Sequence, residues 1–255
     1  MGPRVLVTND DGIDSPGLVA LARCASDLGW ETVVAAPSEE SSGTSAGLTA
    51  AKDHRQVAVE RRTLPDLPDV EAYAVAAHPA LIVLAACHGG FGERPDIVLS
   101  GINRGGNVGR AVLHSGTVGA ALTGAVNGAR AFAVSLDLPL NPDLNPTWDR
   151  AARVARELLP VAMDLAPGAV LNVNVPDVPD VKPARWARLA SYGRVQHKVT
   201  QLGESEIEVG SVEVDGELEP GTDAALLEQG YATVTPLRSV HEDETLMGGA
   251  LSRPD

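Results

Sequence analysis

The sequence predicts an α/β protein built on a doubly wound, mostly parallel sheet, with an antiparallel hairpin extension toward the C-terminus. Three observations carry that expectation. Apolar runs at residues 5–7, 32–36 and 97–99 are short, rich in valine and without alternation, as strands buried on both faces are. The stretch between the first two has helical spacing and the length a right-handed crossover needs. The runs give way at their carboxyl ends to polar, hydroxyl-bearing and glycine-rich residues. In open α/β sheets that edge binds ligands, because helices begin there and aim backbone N–H groups at the crevice.

Composition bounds the rest. The 255 residues are expected to form one domain: a core of about 1–180 plus 221–237, a hairpin extension of about 184–215, and an arm at 238–255. Aromatics make up only 3% while glycine counts 26, so the core must be Ala, Val and Leu, which suits helices packed closely on a sheet. A net charge of −14 argues against a nucleic-acid duplex as partner, since backbone phosphates need a basic face. No apolar run approaches a membrane span, and Met1-Gly-Pro-Arg4 lacks the apolar core of a signal peptide, so the expected compartment is the cytoplasm, with no membrane partner. Cys24 and Cys87 lie in helical patterns and read as buried small hydrophobes.

Taken in order, Val5-Leu-Val7 is a strand that runs into Thr8-Asn-Asp-Asp-Gly12. Asn9, Asp10 and Asp11 therefore stand at a strand's carboxyl end. Two adjacent carboxylates repel each other, and a hard divalent cation would relieve that; equally, Asn-Asp-Asp-Gly is a turn before a helix started by Ser15-Pro16. A helix over 18–28 stops at Gly29, and a second strand over 32–36 follows. The absence of G-x-G-x-x-G there excludes the usual dinucleotide fingerprint. Residues 37–49 are rich in serine and small residues and form a loop, one of whose hydroxyls can complete a cation's coordination. Residues 57–60 and 72–76 read as strands joined by a connection rich in proline and aspartate, and 79–87 as a short apolar helix with His78 and His88 near its ends.

The strand at 97–99 leads through Ser100-Gly-Ile-Asn103 into Arg104-Gly-Gly-Asn107, where the glycines let backbone approach a ligand or form an anion-binding concavity. Ser115-Gly-Thr117 opens a helix of Ala, Gly, Val and Thr expected over 119–130; its hydroxyls either cap the helix or, with its free N–H groups, hold phosphate. Strands over 131–136 and 170–175 flank an amphipathic helix over 148–163. Residues 185–192, 194–199 and 207–214 alternate like strands with no helix between them, Gly221-Thr-Asp223 opens a short helix, and 231–237 returns a strand.

As an ordered set, these motifs closely resemble the SurE (survival protein E) family of metal-dependent nucleotidases and acid phosphatases. The matching residues are Val7-Thr-Asn-Asp-Asp-Gly-Ile-Asp-Ser-Pro-Gly17, the 37–49 loop with Ser42-Gly43, Ser100-Gly-Ile-Asn-Arg-Gly-Gly-Asn107 and Ser115-Gly-Thr-Val-Gly-Ala-Ala121. Leu171-Asn-Val-Asn-Val-Pro176, Gly221-Thr-Asp223 and Gly230-Tyr-Ala-Thr-Val-Thr-Pro-Leu237 extend the match over nearly the whole chain. The resemblance implies a Rossmann-like core, a homodimer or homotetramer, and one divalent cation, Mg2+ or Mn2+, per subunit. It assigns Asp10, Asp11, Ser42 and Asn103 as metal ligands. Asn9, Asn107, Ser115, Gly116 and Thr117 would line the phosphate pocket.

Two departures stand out. His114 replaces the usual tyrosine before Ser-Gly-Thr, and Ala77-His-Pro-Ala-Leu-Ile-Val83 replaces Gly-Thr-Pro-Ala-Asp-Cys-Val, so the neighbouring pocket loses polar groups while the metal set is untouched. The implied reaction is metal-assisted hydrolysis of a phosphate ester, with a nucleoside monophosphate as substrate. Alternatives are a phosphatase for a non-nucleotide intermediate and a silent metal- and nucleotide-binding regulator. Neither Asp10 nor Asp11 has an aspartate two positions later, which argues against an aspartyl-phosphate route of the Asp-x-Asp-x-Thr kind.

Overall fold

A computed structural model of the chain describes residues 2–49, 56–138, 145–193, 195–202, 207–213 and 216–240. The element order begins β1 (Arg4–Thr8), α1 (Pro16–Asp27), β2 (Glu31–Pro37), β3 (Val59–Leu64), β4 (Leu67–Val75), α2 (Pro79–Cys87) and β5 (Ile97–Arg104). It continues α3 (Gly116–Val126), β6 (Arg130–Asp137), α4 (Trp148–Met163), β7 (Val170–Pro176), β8 (Lys182–Trp186), β9 (Val195–Leu202), β10 (Ile207–Glu213), α5 (Asp223–Glu228) and β11 (Tyr231–Leu237).

Nine of these strands form one sheet in the order β3-β4-β2-β1-β5-β6-β7-β11-β8. From β4 to β7 all neighbours are parallel, and β3 and β11 run antiparallel to β4 and β7. The chain winds outward from β1 in one direction and from β5 in the other. The crevice between their carboxyl ends is therefore the switch point, where doubly wound sheets hold ligands.

Strand residues alternate between two helical layers. Val5, Val7, Leu99, Phe132 and Val134 pack with Leu18 and Leu21 of α1 and Val154 and Leu159 of α4. On the opposite face Leu6 and Val98 meet Ile82 and Val83 of α2, while Ala131 and Ala133 meet Val118 and Ala121 of α3. With alanine and valine on both sides of that second interface, α3 comes close to the sheet. Its N-terminus is thereby brought level with the strand ends. Cys24 and Cys87 are buried free thiols, as expected.

Several expected boundaries move. α3 begins at Gly116 rather than 119, because Ser115 Oγ accepts the Val118 N–H and closes the first turn; the chain turns away at Gly128, with φ +81°. Pro68 and Asp69, read as part of a connection, belong to β4: Leu64 pairs with Leu67, so Pro65 and Asp66 alone make the turn. The strand expected at 185–192 is Lys182–Trp186, and it joins the main sheet parallel to β11 instead of the hairpin extension. Antiparallel pairing of β11 with β7 leaves β11 a second edge, which β8 fills. The extension is thus β9 and β10, paired antiparallel in a separate two-stranded sheet. Of the C-terminal arm, 241–255 lie outside the described residues. Among the described residues, no helix is long and apolar enough to cross a membrane.

Candidate active site

The segment after β1 enters the switch point and is fixed by its own asparagine. Asn9 is fully buried; Asn9 Oδ1 accepts the Gly12 N–H at 3.2 Å and Asn9 Nδ2 donates to Gly12 O at 3.1 Å. Asn9 thus closes the turn as a local brace. That leaves Asp10 and Asp11 to face the crevice, and it realises the turn and the carboxylate pair in the same residues.

Asp10 is seated against the start of α3. Its Oδ1 accepts the Thr117 hydroxyl at 2.5 Å, and the Thr117 N–H also donates to the carboxylate. Gly116 permits this approach: a Cβ there would stand 2.7 Å from Asp10 Oδ2 and 2.9 Å from Asp10 Cβ. Burial pushes the Asp10 carboxyl above the ordinary aspartate range against these hydrogen bonds, and Glu40 adds to the push. Asp11 is pushed up to about 7, first by burial and then by the charge of Asp10. The Arg104 N–H opposes this by donating to Asp11, yet Asp11 Oδ2 is buried without a partner.

The other two expected cation ligands come to the same place through their neighbours. The Ser41 N–H donates to Asp10 O at 2.8 Å, which brings the 38–49 loop to the carboxylates; Ser42 Oγ next to it donates to Glu40 Oε1 at 2.6 Å. Asn103 precedes Arg104 at the end of β5, and its Nδ2 donates to Gly105 O at 2.7 Å, which leaves Oδ1 as its open acceptor. The 38–49 loop is tied in turn to the chain leading into α3, since Ser45 Oγ donates to Leu113 O at 2.6 Å.

The phosphate-pocket residues divide. Ser115 caps α3, and its hydroxyl hydrogen stays available to an anion at the helix N-terminus. Gly116 and Thr117 form the first turn, but the Thr117 hydroxyl is spent on Asp10. Asn107 is turned into the protein: its Nδ2 donates to Ser135 Oγ at 2.8 Å. His114 closes the short 3-10 helix Gly109–His114 on the exposed side of the crevice. Sequence reading missed the Arg104 N–H, the role of Thr117 toward Asp10, and the role of the buried Asn172, Asn174 and Asp223 behind Asn107, which it had named only within family-matching motifs. Besides that motif, a signal for the asparagines is the polar-apolar-polar alternation inside an otherwise apolar strand.

These residues fit a hard divalent cation. An unpartnered buried carboxylate oxygen, mutual repulsion of Asp10 and Asp11, and neutral oxygens from Ser42 and Asn103 make the kind of oxygen-rich set that Mg2+ or Mn2+ takes. Among the described residues no three His, Cys, Asp or Glu side chains form a metal cluster, so the donor set here is a mixed one.

Fold and crevice together define a doubly wound α/β protein with an acidic, oxygen-lined site at its switch point, beside an open helix N-terminus. Residues 5–198 match the family model described as Survival protein SurE, and the chain belongs to that family. It is 36% identical over 242 residues to a 5'-nucleotidase SurE from Ectopseudomonas mendocina, covering 92% of each chain. It is 35% identical over 240 residues to one from Gloeobacter violaceus, covering 92% of this chain and 89% of that one. Among solved structures it resembles the SurE protein from Aquifex aeolicus with a TM-score of 0.77 and 27% identity, over 96% of this chain and 97% of that chain.

Proposed function

We propose that this chain is a phosphoric monoester hydrolase that removes phosphate from nucleoside monophosphates, a 5'/3'-nucleotidase working with one divalent cation, Mg2+ or Mn2+, per subunit. The observation that carries the chemistry is the Asp10–Asp11 pair, with its unpartnered Asp11 Oδ2, set against the N-terminus of α3. The nucleotide preference is supported by the names of the relatives, 5'-nucleotidase SurE, at about a third identity along nearly the whole chain. The cytoplasm as compartment, a single domain and a homodimer or homotetramer belong to the same reading.

In this reading Asp10, Asp11, Ser42 and Asn103 hold the cation. Bound there, the cation would polarise the phosphoryl group and ease deprotonation of water. Ser115 and the first turn of α3 orient the phosphate oxygens and stabilise the charge that grows on them, through a hydroxyl and a helix N-terminus already fixed before substrate arrives. Thr117 keeps the Asp10 carboxylate at one orientation. His114, at the rim, contacts the part of the ester beyond the phosphate.

The test is phosphate release from an aryl phosphate by metal-stripped protein, with Mn2+ or Mg2+ restored, followed by a panel of nucleoside monophosphates and other phosphate esters. Activity that returns with metal and is highest on nucleotides supports the reading. Turnover that needs no metal, or that is greatest on a non-nucleotide ester, overturns the corresponding half of it.

A further inference from the structure

The loop between β5 and the 3-10 helix is held from behind by side chains that have no part in the chemistry above. One amide grips both polar groups of the Asn107 backbone: the Asn107 N–H donates to Asn174 Oδ1 at 2.7 Å, and Asn107 O accepts from Asn174 Nδ2 at 2.9 Å. Asn172 Nδ2 adds a second donor to the same carbonyl at 2.8 Å. At the loop's far end the Gly109 N–H donates to Asp223 Oδ2 at 2.8 Å, and Asp223 Oδ1 accepts from Ala190 N–H at 2.9 Å and Ala224 N–H at 2.8 Å. A Cβ on Gly109 would stand 2.8 Å from Ala190 O, so the chain is pressed against its support.

Asn172, Asn174 and Asp223 are each 0% exposed, while the loop they hold, 105–108, is half-buried. Burying two amides and a carboxylate is costly, and apolar side chains would fill the same space without that cost. What the polar groups provide is one fixed backbone path. That path matters at the crevice, because Gly105 O orients the Asn103 amide and the Arg104 N–H reaches Asp11.

We propose that Asn174, Asn172 and Asp223 are positioning residues, which act through the 105–109 loop to set Asn103 and the Arg104 N–H against the acidic pair. The proposal rests on reading the crevice as a phosphatase site. Its test compares Asn174→Ala, Asn172→Ala and Asp223→Asn with Val154→Ala, a core truncation on the opposite helical layer, each assayed below its own melting temperature. Two readouts are taken: kcat and KM on an aryl phosphate with Mn2+, and hydrogen exchange of the 104–109 backbone in the metal-free protein.

Asn174→Ala is expected to lower kcat about ten- to a hundredfold with less than a threefold change in KM, and to lose protection of the loop. Asn174→Asp, which keeps the acceptor for the Asn107 N–H, should recover part of both. Val154→Ala should change kcat by less than about twofold and leave the loop protected. Should Asn174→Ala fail to fold, Asn172→Ala carries the same test with a smaller expected loss of about threefold to tenfold, since one donor remains on Asn107 O. Equal effects from Val154→Ala, or a loop that stays protected with kcat unchanged in all three variants, would overturn the proposal. If the wild-type protein hydrolyses no phosphate ester, the functional reading falls, and the exchange comparison alone decides whether these side chains fix the loop.

Discussion

Two carboxylates near the same crevice, Asp223 fully buried and Asp11 half-buried, are treated in opposite ways. Asp223 spends both oxygens on three backbone N–H groups from Gly109, Ala190 and Ala224. Asp11 has one donor, the Arg104 N–H, a like charge beside it in Asp10, and an oxygen with no partner at all. The contrast separates a carboxylate that holds chain from one that holds a ligand. Backbone donors on both oxygens fix the first in place, whereas the second keeps the desolvation cost of its charge until a cation removes it.

The sharpest test of that contrast is to neutralise the acidic pair. Asp11→Asn removes a ligand and should lower phosphatase kcat/KM by about a thousandfold, roughly 4 kcal/mol of barrier. In the metal-free protein it should leave the melting temperature unchanged or raised, because an uncompensated charge has gone. Asp223→Asn should do the reverse: lower the melting temperature, since the amide presents a donor where the fold supplies donors. Equal thermal losses from both would end the distinction. Next in size is Gly116→Ala. The new Cβ would lie 2.7 Å from Asp10 Oδ2, so the carboxylate or the helix must shift. A displacement of that order should reduce kcat about a hundredfold with a stability loss of about 1–2 kcal/mol, measured by kinetics and thermal melting.

The sheet was largely legible because its signal is local. Runs such as Ile97–Leu99 and residues 170–175 announce buried strands by composition alone, and their polar endings mark the binding edge. β8 was misplaced because its partner choice is not local: Lys182–Trp186 is exposed throughout, and only the vacant edge of β11 decides where it pairs. In the site, Asp10 and Asp11 could be named from their adjacency and from the family resemblance. That the Thr117 hydroxyl serves Asp10 rather than a phosphate was hidden, since a threonine at a helix start reads the same whether its hydroxyl faces ligand or protein. Asn172 and Asn174 were visible only as part of the Leu171–Pro176 family match, with no role attached. Their purpose lay in a loop more than 60 residues earlier in the chain.

The pH dependence of stability refines the comparison with a smaller effect. In metal-free protein the Asp11 carboxyl titrates at about 7, against an ordinary value of 3.8 in the unfolded chain. Between those values the folded state keeps a proton that the unfolded state has released. Unfolding free energy from this group therefore falls as pH rises from about 4 to about 7, and the loss is complete above that. Relative to wild type, metal-free Asp11→Asn should accordingly gain a few degrees in melting temperature between pH 5 and pH 8, by about 2–4 °C per kcal/mol at most. Mn2+ at pH 8 should close that gap by stabilising wild type and not the variant. A gap that is the same at both pH values would show that the carboxyl is ordinary and the charge not confined.

The smallest expected effect comes from an acidic group three residues further on, which completes the series because it lies close in sequence but outside the crevice. Asp14 Oδ1 pairs with Arg62 Nη2 of β3 at 2.9 Å, with side chains 78% and 36% exposed. Water already solvates both charges there, so their attraction is screened and is offset by the entropy of holding two long side chains together. Arg62→Ala should change unfolding free energy by less than about 0.5 kcal/mol in denaturant titration, and kcat/KM by less than about twofold. Position along the chain is nearly the same for Asp11 and Asp14. The difference of three orders of magnitude expected between them comes from what surrounds each carboxylate: a buried neighbour of like charge for one, and solvent for the other.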